Sequence, residues 1–281
     1  DPGTPKVSHD AKAAKRLLAA IGIDLQGIVG DTMLAAYLLN PSRTNQTLGD
    51  LSDEHLGRPL GPLPKLGELE PLIEARAQEP FARCACTVLR LHEFLRSRLD
   101  SQGMTALYTE LELPLLGVLS QMERTGIAVD VAFLNGLHAS MGTQLSHLVQ
   151  EIHRLAGGEF NLNSPKQLAQ VLFERLKLPV VKRTKTGPST DSDVLQQLAA
   201  QHPLPERLMH YRELSKLVST YVDALPQLVD PTSGRIHTSL NQTATATGRL
   251  SSSDPNLQNI PIKTELGRSI RKAFIPGIPD G

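Results

Sequence analysis

The sequence contains no tryptophan, and its aromatic residues together make up only 4% of 281 residues. This scarcity argues against a sugar-binding cleft built from aromatic side chains. The sequence also lacks any uninterrupted apolar run close to the roughly 18 residues that a membrane-spanning helix needs, which excludes a membrane span. The first ten residues do not show the basic and then apolar pattern of a signal peptide.

Cysteine is almost as rare, since Cys84 and Cys86 are the only two. At this spacing they bridge poorly to each other, and two cysteines cannot build a disulfide scaffold. No second pair of cysteine or histidine residues has a suitable spacing, so the sequence does not favour a zinc site. We therefore expect a reducing, cytoplasmic environment.

The length suggests roughly two domains, and a hydrophobic content of 40% is enough for sizeable cores. The formal net charge is zero, but the positive charge is concentrated in two places. Residues 161–190 hold six lysines and arginines against one acid, and residues 231–279 hold six against two. Such local positive stretches favour a polyanionic partner that contacts selected surfaces, with solvated lysines on a helix face as the alternative.

The spacing of apolar residues predicts a mostly helical chain that turns to β structure near its end. Apolar residues three and four apart run from Phe133 to Leu155, which predicts one long helix that ends at Gly157. The sequence Ser-Pro-Lys-Gln at 164–167 predicts a capping box, with a helix to about residue 176. Residues 235–247 alternate and are rich in threonine, which predicts β structure.

The densest polar stretch is residues 243–259, TATATGRLSSSDPNLQN, and a hydrophobic core cannot use it. An extended backbone would direct the amides of Asn256 and Gln258 to the same side, close to the guanidinium of Arg249. Such a row of donors suits the minor groove of duplex DNA, where every correct base pair presents acceptors in similar places. The alternative is a polar turn whose amides bond only to the local backbone.

Several strings resemble DNA polymerase family A, the bacterial DNA polymerase I family. Residues 245–261 (TATGRLSSSDPNLQNIP) and 267–274 (GRSIRKAF) are similar to the family's signature at the start of the palm. The other similar strings lie at 30–41 (GDTMLAAYLLNP) in the exonuclease-type domain, at 112–116 (ELPLL) and 122–130 (MERTGIAVD) in the opening of the polymerase domain, and at 160–168 (FNLNSPKQL) and 211–221 (YRELSKLVSTY) in the thumb.

The resemblance implies particular roles in binding primer–template DNA. Arg249 matches the arginine that lies in the minor groove at the primer terminus, and Asn256 and Gln258 match amides near the insertion site; Asn259 follows in the same string. Arg212 and Lys216 match bases on the thumb that hold the duplex. The basic loop that contains Lys182, Arg183 and Lys185 would reach the phosphate backbone from the tip of the thumb, with solvated charge as its alternative.

The resemblance also implies parts that this sequence does not show. Polymerisation in the family needs two palm carboxylates that hold Mg²⁺, and the first should follow shortly after the string that ends at Phe274. The fingers helix that binds the dNTP is not seen either. We therefore expect these 281 residues to be inactive alone and to act together with the carboxyl-terminal portion of a polymerase.

The family's 3′–5′ exonuclease centre looks degenerate. An alignment on residues 30–34 places Ala14 at one expected carboxylate position, and an ungapped alignment through residues 91–92 places Cys84 at another. An earlier acidic pair would lie before Asp1. A hard Mg²⁺ ion prefers oxygen ligands, so alanine and a thiol cannot replace them. We expect an inactive, structural exonuclease-like domain that binds no metal.

These inferences combine into one prediction. We expect an α+β, mostly helical chain: a degenerate α/β exonuclease-like domain over 1–103 and a polymerase part over 104–281. The polymerase part would comprise a helical thumb at about 130–229 and the first strands of the palm at about 230–281. The function would be DNA-directed DNA synthesis at the bacterial nucleoid, with a non-catalytic duplex-binding module and a purely helical scaffold as alternatives.

Overall fold

The computed structural model describes residues 1–61, 75–185, 187–262 and 264–277, without the side chains of residues 75–78. The chain divides into two compact units. The first unit joins Asp1–Gly126 to His237–Gln258, and the second joins Ile127–Ile236 to the residues from Asn259 onward. Residues 278–281, which close the predicted palm segment, lie outside the described residues.

The elements follow one another along the chain in a mostly helical order. They are β1 (Lys6–Ser8), α1 (Ala11–Ala20), β2 (Ile28–Asp31), α2 (Thr32–Leu39), α3 (Leu48–Leu56), α4 (Ala75–Ser101), the π-helical π1 (Leu107–Glu112), α5 (Leu113–Thr125), β3 (Ile127–Val129), α6 (Val131–Ala156), α7 (Pro165–Ala169), π2 (Gln170–Arg175), β4 (Arg183–Thr184), β5 (Gly187–Pro188), α8 (Ser192–Leu198), α9 (Pro203–Leu217), π3 (Val218–Val222), α10 (Ala224–Gln227), β6 (Arg235–Ile236), β7 (Ser239–Asn241), β8 (Ser251–Ser253), α11 (Glu265–Arg271) and β9 (Phe274–Ile275). The predicted α+β, mostly helical class is confirmed.

In the first unit a small parallel sheet packs against helices. Strands β1 and β2 pair in parallel, with α1 as the connection between them. Parallel pairing requires such a crossover, which is typical of α/β structure. The buried core lies under α2, α4 and π1, and its residues are Ala11, Leu34, Ala35, Ala36, Tyr37, Leu51, Leu91, Leu95, Leu99, Tyr108 and Leu116.

In the second unit the predicted long helix is confirmed as α6. The Asp130 side chain accepts a hydrogen bond from the amide of Phe133 (2.8 Å) and so satisfies a free donor of the first turn. Gly157 ends the helix at a φ of 73° and a ψ of 26°, a left-handed conformation that glycine adopts without steric cost. Helix α6 packs along α9, and the core beneath is formed by Ile152, Ala156, Leu162, Leu168, Val171, Leu172, Leu195, Leu204 and Leu208.

The start of α7 differs in one detail from the prediction. The Ser164 hydroxyl accepts from the amide of Gln167, as expected, at 3.4 Å. Gln167, however, accepts from the amide of Asn161 (2.8 Å), so it binds the loop before the cap instead of returning to Ser164. The reciprocal capping box is therefore wrong, although the helix it predicted continues through π2 to Arg175.

The β structure expected after residue 235 is divided between the two units. Strand β6 pairs with β3, which also pairs with β9, in an antiparallel sheet of the second unit. Strand β7 pairs with β8 in the first unit. The units are defined by contacts, and the predicted functional boundary at residue 103 stays a prediction. Among the described residues, no helix is both long and apolar enough to cross a bilayer.

Candidate nucleic-acid interface

Arg249 lies at the end of a loop that connects β7 to β8. The two strands pair antiparallel, from Ser239 opposite Ser253 to Asn241 opposite Ser251, so the connecting residues form one extended hairpin loop. Gly248, with a φ of 76°, allows the backbone to turn just before Arg249. The Thr245 hydroxyl donates to the carbonyl of Arg249 (2.7 Å) and closes the turn.

The Arg249 side chain is exposed at this turn, and no residue from 243 to 250 is buried. An exposed guanidinium keeps its five donors available for acceptors outside the protein. The loop has no apolar side chain in the core, so its position depends on hydrogen bonds to its backbone. The exposure leaves the Arg249 side chain accessible, and its contact with a partner stays a prediction.

Asn256 and Gln258 are arranged differently from the expectation. The chain turns after β8, where Asp254 has a φ of 55°, and the two side chains bind to this turn. Gln258 accepts from the amide of Ser252 (3.2 Å) and donates to the carbonyl of Leu250 (3.0 Å). The side-chain oxygen of Asn256 accepts from the amide of Gln258 (3.0 Å). Both amides thus brace the local backbone, as the alternative reading proposed.

The two side chains remain accessible for contacts with a partner in addition to these local hydrogen bonds. Asn256 and Gln258 are both exposed on the surface of the first unit. The Gln258 amide nitrogen carries two donor hydrogens, and the described contacts use one of them. A side chain fixed by its own backbone contacts is preorganised, because little rotamer freedom remains to be lost on binding.

The strand that leads into the loop is held by a buried carboxylate that the sequence did not reveal as functional. The Glu123 carboxylate accepts from the amide of Leu240 (2.7 Å) and forms an ion pair with Lys12. Glu123 also accepts through its carbonyl from His237, at 2.7 Å. Immediately after β7, the side-chain amide of Gln242 donates to the Glu112 carboxylate (2.7 Å). Helix α5 and π1 therefore fix the base of the hairpin.

In the second unit, Arg212 and Lys216 lie one turn apart on α9, as predicted. Arg212 donates to the carbonyl of Thr190 (2.6 Å), and burial lowers its pKa from the usual value. It thus joins α9 to Thr190, two residues before α8, in a structural contact that the sequence did not indicate. Lys216 is exposed.

The basic segment near residue 182 is a short hairpin and not an irregular loop. Strands β4 and β5 pair antiparallel across the turn, which places Arg183 opposite Pro188. Lys182 forms an exposed ion pair with Asp191 (2.7 Å), and this hydrogen bond lowers the pKa of Asp191 to about 2. Arg183, Lys185 and, at the start of the palm segment, Asn259 are exposed.

The exonuclease-like region carries a buried aspartate at the start of α2. The Asp31 carboxylate accepts from the amides of Leu34 (2.9 Å) and Ala11 (2.5 Å), so it caps α2 and holds the start of α1. Burial raises the pKa of Asp31 to about 6, although these amides partly oppose the shift. The Tyr108 hydroxyl exchanges hydrogen bonds with the backbone of Asp31, and burial raises its pKa to about 12.

The residues expected at the degenerate exonuclease centre do not suit a metal ion. Ala14 lies in α1 and Cys84 in α4, where burial raises the pKa of the Cys84 thiol. A nearby cleft of about 950 Å³ contains a single carboxylate among its described lining residues, Asp10, which caps α1 through the amide of Ala13 (3.0 Å). Across the described ranges, no three His, Cys, Asp or Glu side chains form a group that could hold a metal ion.

Two family models match this chain. Residues 131–280 match the model described as DNA polymerase family A. Residues 1–58 match the model described as DNA polymerase I, ribonuclease H-like domain. Together these matches cover parts of both compact units.

Individual relatives agree with the family models. The chain is 44% identical over 284 residues to DNA polymerase I of Geobacillus stearothermophilus, covering 100% of this chain and 32% of that protein. It is 46% identical over 269 residues to the thermostable DNA polymerase I of Thermus thermophilus, covering 94% and 30%. The chain therefore spans about a third of the length of the curated relatives it matches.

A solved structure matches the fold. It is described as the POL domain of Pol1 from M. smegmatis in complex with DNA primer-template and dNTP. The TM-score is 0.85 at 42% sequence identity, and the match covers 98% of this chain and 46% of that one.

Proposed function

Because this chain belongs to DNA polymerase family A, we propose that it forms the part of a DNA-directed DNA polymerase that holds the primer–template duplex. The observation that carries the proposal is the exposed Arg249 on a turn closed by Thr245, next to the exposed amides of Asn256 and Gln258. All three side chains belong to one compact segment of the first unit.

This segment offers the chemistry that the minor groove requires. Purine N3 and pyrimidine O2 accept hydrogen bonds at similar places in every correct base pair, so donors there respond to pairing geometry without reading the sequence. The Arg249 guanidinium supplies several donors in a fixed plane, and Gln258 retains one amide hydrogen. A polymerase must accept any sequence, and this kind of contact permits that.

The basic residues of the second unit suit the phosphate backbone. Lys216 on α9 and Arg183 and Lys185 on the β4–β5 hairpin are exposed, so they can approach phosphates without breaking an internal contact seen here. Each phosphate they neutralise adds about 0.9 to the salt slope of duplex binding. Arg212, Lys182 and Asn259 complete the proposed set, with Arg212 and Lys182 already engaged at Thr190 and Asp191.

Replacing Arg249 tests the proposal directly. In the complete polymerase, Arg249→Ala is expected to lower kcat/KM for extension of a paired primer end. The decrease should correspond to a loss of about 1–3 kcal/mol of transition-state stabilisation, because a bidentate contact to base edges is lost. Primer-extension kinetics with saturating and limiting DNA measure the effect. Arg90→Ala is the matched control, because it removes another exposed arginine, one that lies on α4. Unchanged kinetics for Arg249→Ala would refute the assignment.

The proposal assigns chemistry to other parts of the polymerase. Family A polymerases use divalent metal ions, and we propose Mg²⁺ here. The described residues of this chain offer no group that fits such an ion, so the proposal locates the ion, the dNTP and the catalytic carboxylates in the carboxyl-terminal portion. We also keep the division into an exonuclease-like domain at 1–103 and a polymerase part at 104–281, and we propose the bacterial nucleoid as the site of action.

The exonuclease-like domain is proposed to be catalytically inactive. Support comes from Ala14 and from Cys84, whose thiol has a raised pKa, at the expected carboxylate positions. Single-stranded DNA incubated with Mg²⁺ and the protein is therefore expected to stay intact at its 3′ end, because hard cations need oxygen ligands. Gel analysis of an end-labelled oligonucleotide measures this. Trimming that stops when a chelator is added would contradict the proposal.

A further inference from the structure

The segment that carries Arg249 belongs to the same compact unit as the exonuclease-like residues. Residues 237–258 group with residues 1–126, although residues 127–236 separate them in sequence. Helix α2 of that region reaches the hairpin loop directly, because the Tyr37 hydroxyl donates to the carbonyl of Thr245 at 2.6 Å. The Tyr37 side chain is 2% exposed, so this donor comes from the packed core.

A single relay connects Tyr37 to the Arg249 turn. Tyr37 fixes the carbonyl of Thr245, and the Thr245 hydroxyl in turn holds the carbonyl of Arg249 at 2.7 Å. The loop cannot be positioned by apolar packing, since no residue from 243 to 250 is buried. Among the described hydrogen bonds of residues 243–250, the one from Tyr37 is the contact that comes from outside residues 237–258.

The base of the hairpin is fixed separately. Glu123 and Glu112 hold β7 and the residue after it, at Leu240 and Gln242. Both contacts lie before residue 243. At the far end of the loop Gln258 holds the carbonyl of Leu250 (3.0 Å), so the hydrogen bond from Tyr37 to Thr245 is the one that joins the loop tip to the packed helices.

We propose that Tyr37 is a positioning residue for DNA contact: it holds the Arg249 turn in the orientation that meets the duplex. This inference rests on the proposed function, since it gives the exonuclease-like region a task on the same DNA. The region then serves as a rigid support for a polymerase loop, independently of any metal chemistry of its own.

The test compares two tyrosine-to-phenylalanine variants of the 281-residue chain. Affinity for a fluorescein-labelled primer–template duplex is measured by anisotropy, and stability by thermal unfolding. Tyr37→Phe keeps the ring in the core and removes only the hydroxyl, so duplex binding is expected to weaken roughly three- to tenfold with little loss of stability. Thr245→Val, which breaks the second step of the relay, is expected to weaken binding similarly.

Tyr108→Phe is the matched control. It also removes a buried hydroxyl in the first unit, but one that bonds to the backbone of Asp31 and not to the loop. This variant is expected to lower the unfolding temperature and to leave duplex affinity within twofold. If Tyr108→Phe weakens binding as much as Tyr37→Phe does, the effect of Tyr37 is general loss of stability and the inference is wrong.

A double variant separates this inference from the proposed function. If Tyr37 acts through Arg249, then Tyr37→Phe has no further effect on affinity once Arg249→Ala is present. Full additivity of the two losses would overturn the positioning role. If Arg249→Ala weakens binding and Tyr37→Phe does not, the inference alone fails. If Arg249→Ala itself has no effect, the proposed function of the loop fails and the inference fails with it.

Discussion

Lys12→Met is expected to lower the free energy of unfolding by about 3–5 kcal/mol, because it leaves the Glu123 carboxylate buried without its cation. The Glu123 side chain is 4% exposed and that of Lys12 is 14% exposed. Water cannot replace the lost ammonium at such a site, and the amide of Leu240 is the remaining described donor to this carboxylate. Urea unfolding of the wild-type chain and the variant measures the difference.

Two further variants control this prediction. Arg207→Met breaks an ion pair with Glu151 in which both side chains are more than a third exposed, so it is expected to cost no more than about 1 kcal/mol. Adding Glu123→Gln to Lys12→Met removes the buried charge while keeping an acceptor for Leu240, and part of the lost stability should return. A Lys12→Met variant as stable as the Arg207→Met variant would show that the pair is not desolvated in solution.

Stability is expected to fall by about 2–3 kcal/mol as the pH rises from about 4 to 7, owing to Asp31 alone. Burial raises the pKa of this carboxyl from 3.8 to about 6, so the folded chain binds its proton more tightly than the unfolded chain does. The stabilisation is complete below the unfolded value and is lost as the pH rises through the folded value. Unfolding free energies across this range measure the change.

The variant Asp31→Asn separates the contribution of Asp31 to the pH dependence of stability from the contributions of other titrating groups. Asparagine places an amide hydrogen against the amides of Leu34 or Ala11, so the variant is expected to be less stable at every pH. Its loss relative to the wild type should nevertheless shrink as the pH rises, because only the wild type titrates there. A constant difference between the two chains from pH 4 to 7 would contradict a raised pKa.

The sequence correctly predicted those features of the structure that depend on residues close together in the chain. Helix α6 follows from its apolar spacing together with Asp130 at its start and Gly157 at its end, all within one stretch of chain. Each of these signals acts over a few residues, so no tertiary information is needed. The exposure of Arg249 was likewise predictable, since a polar string with glycine before it cannot enter a core.

The sequence did not predict what long-range contacts decide. Lys12 and Glu123 lie 111 residues apart, and no periodicity relates them. The sequence indicates only that Tyr37 belongs to the apolar face of α2. The hydrogen-bond partner of its hydroxyl, Thr245, lies far away in the sequence and is brought close only by folding. The contacts that Asn256 and Gln258 make with their own turn were predicted only as the alternative, because alternation patterns do not record which backbone groups a side chain binds.

The alternation of the two units along the chain has a consequence for synthesis on the ribosome. The first unit is interrupted after Gly126 and is completed only by residues 237–258. At about 5–20 residues per second, roughly five to twenty-five seconds pass between the synthesis of its helices and that of the hairpin that completes their polar contacts. During that interval Glu123 lacks Leu240 and Tyr37 lacks Thr245. The nascent amino-terminal segment is therefore the species with exposed, unpaired groups, and a protease or chaperone would meet it before the hairpin emerges.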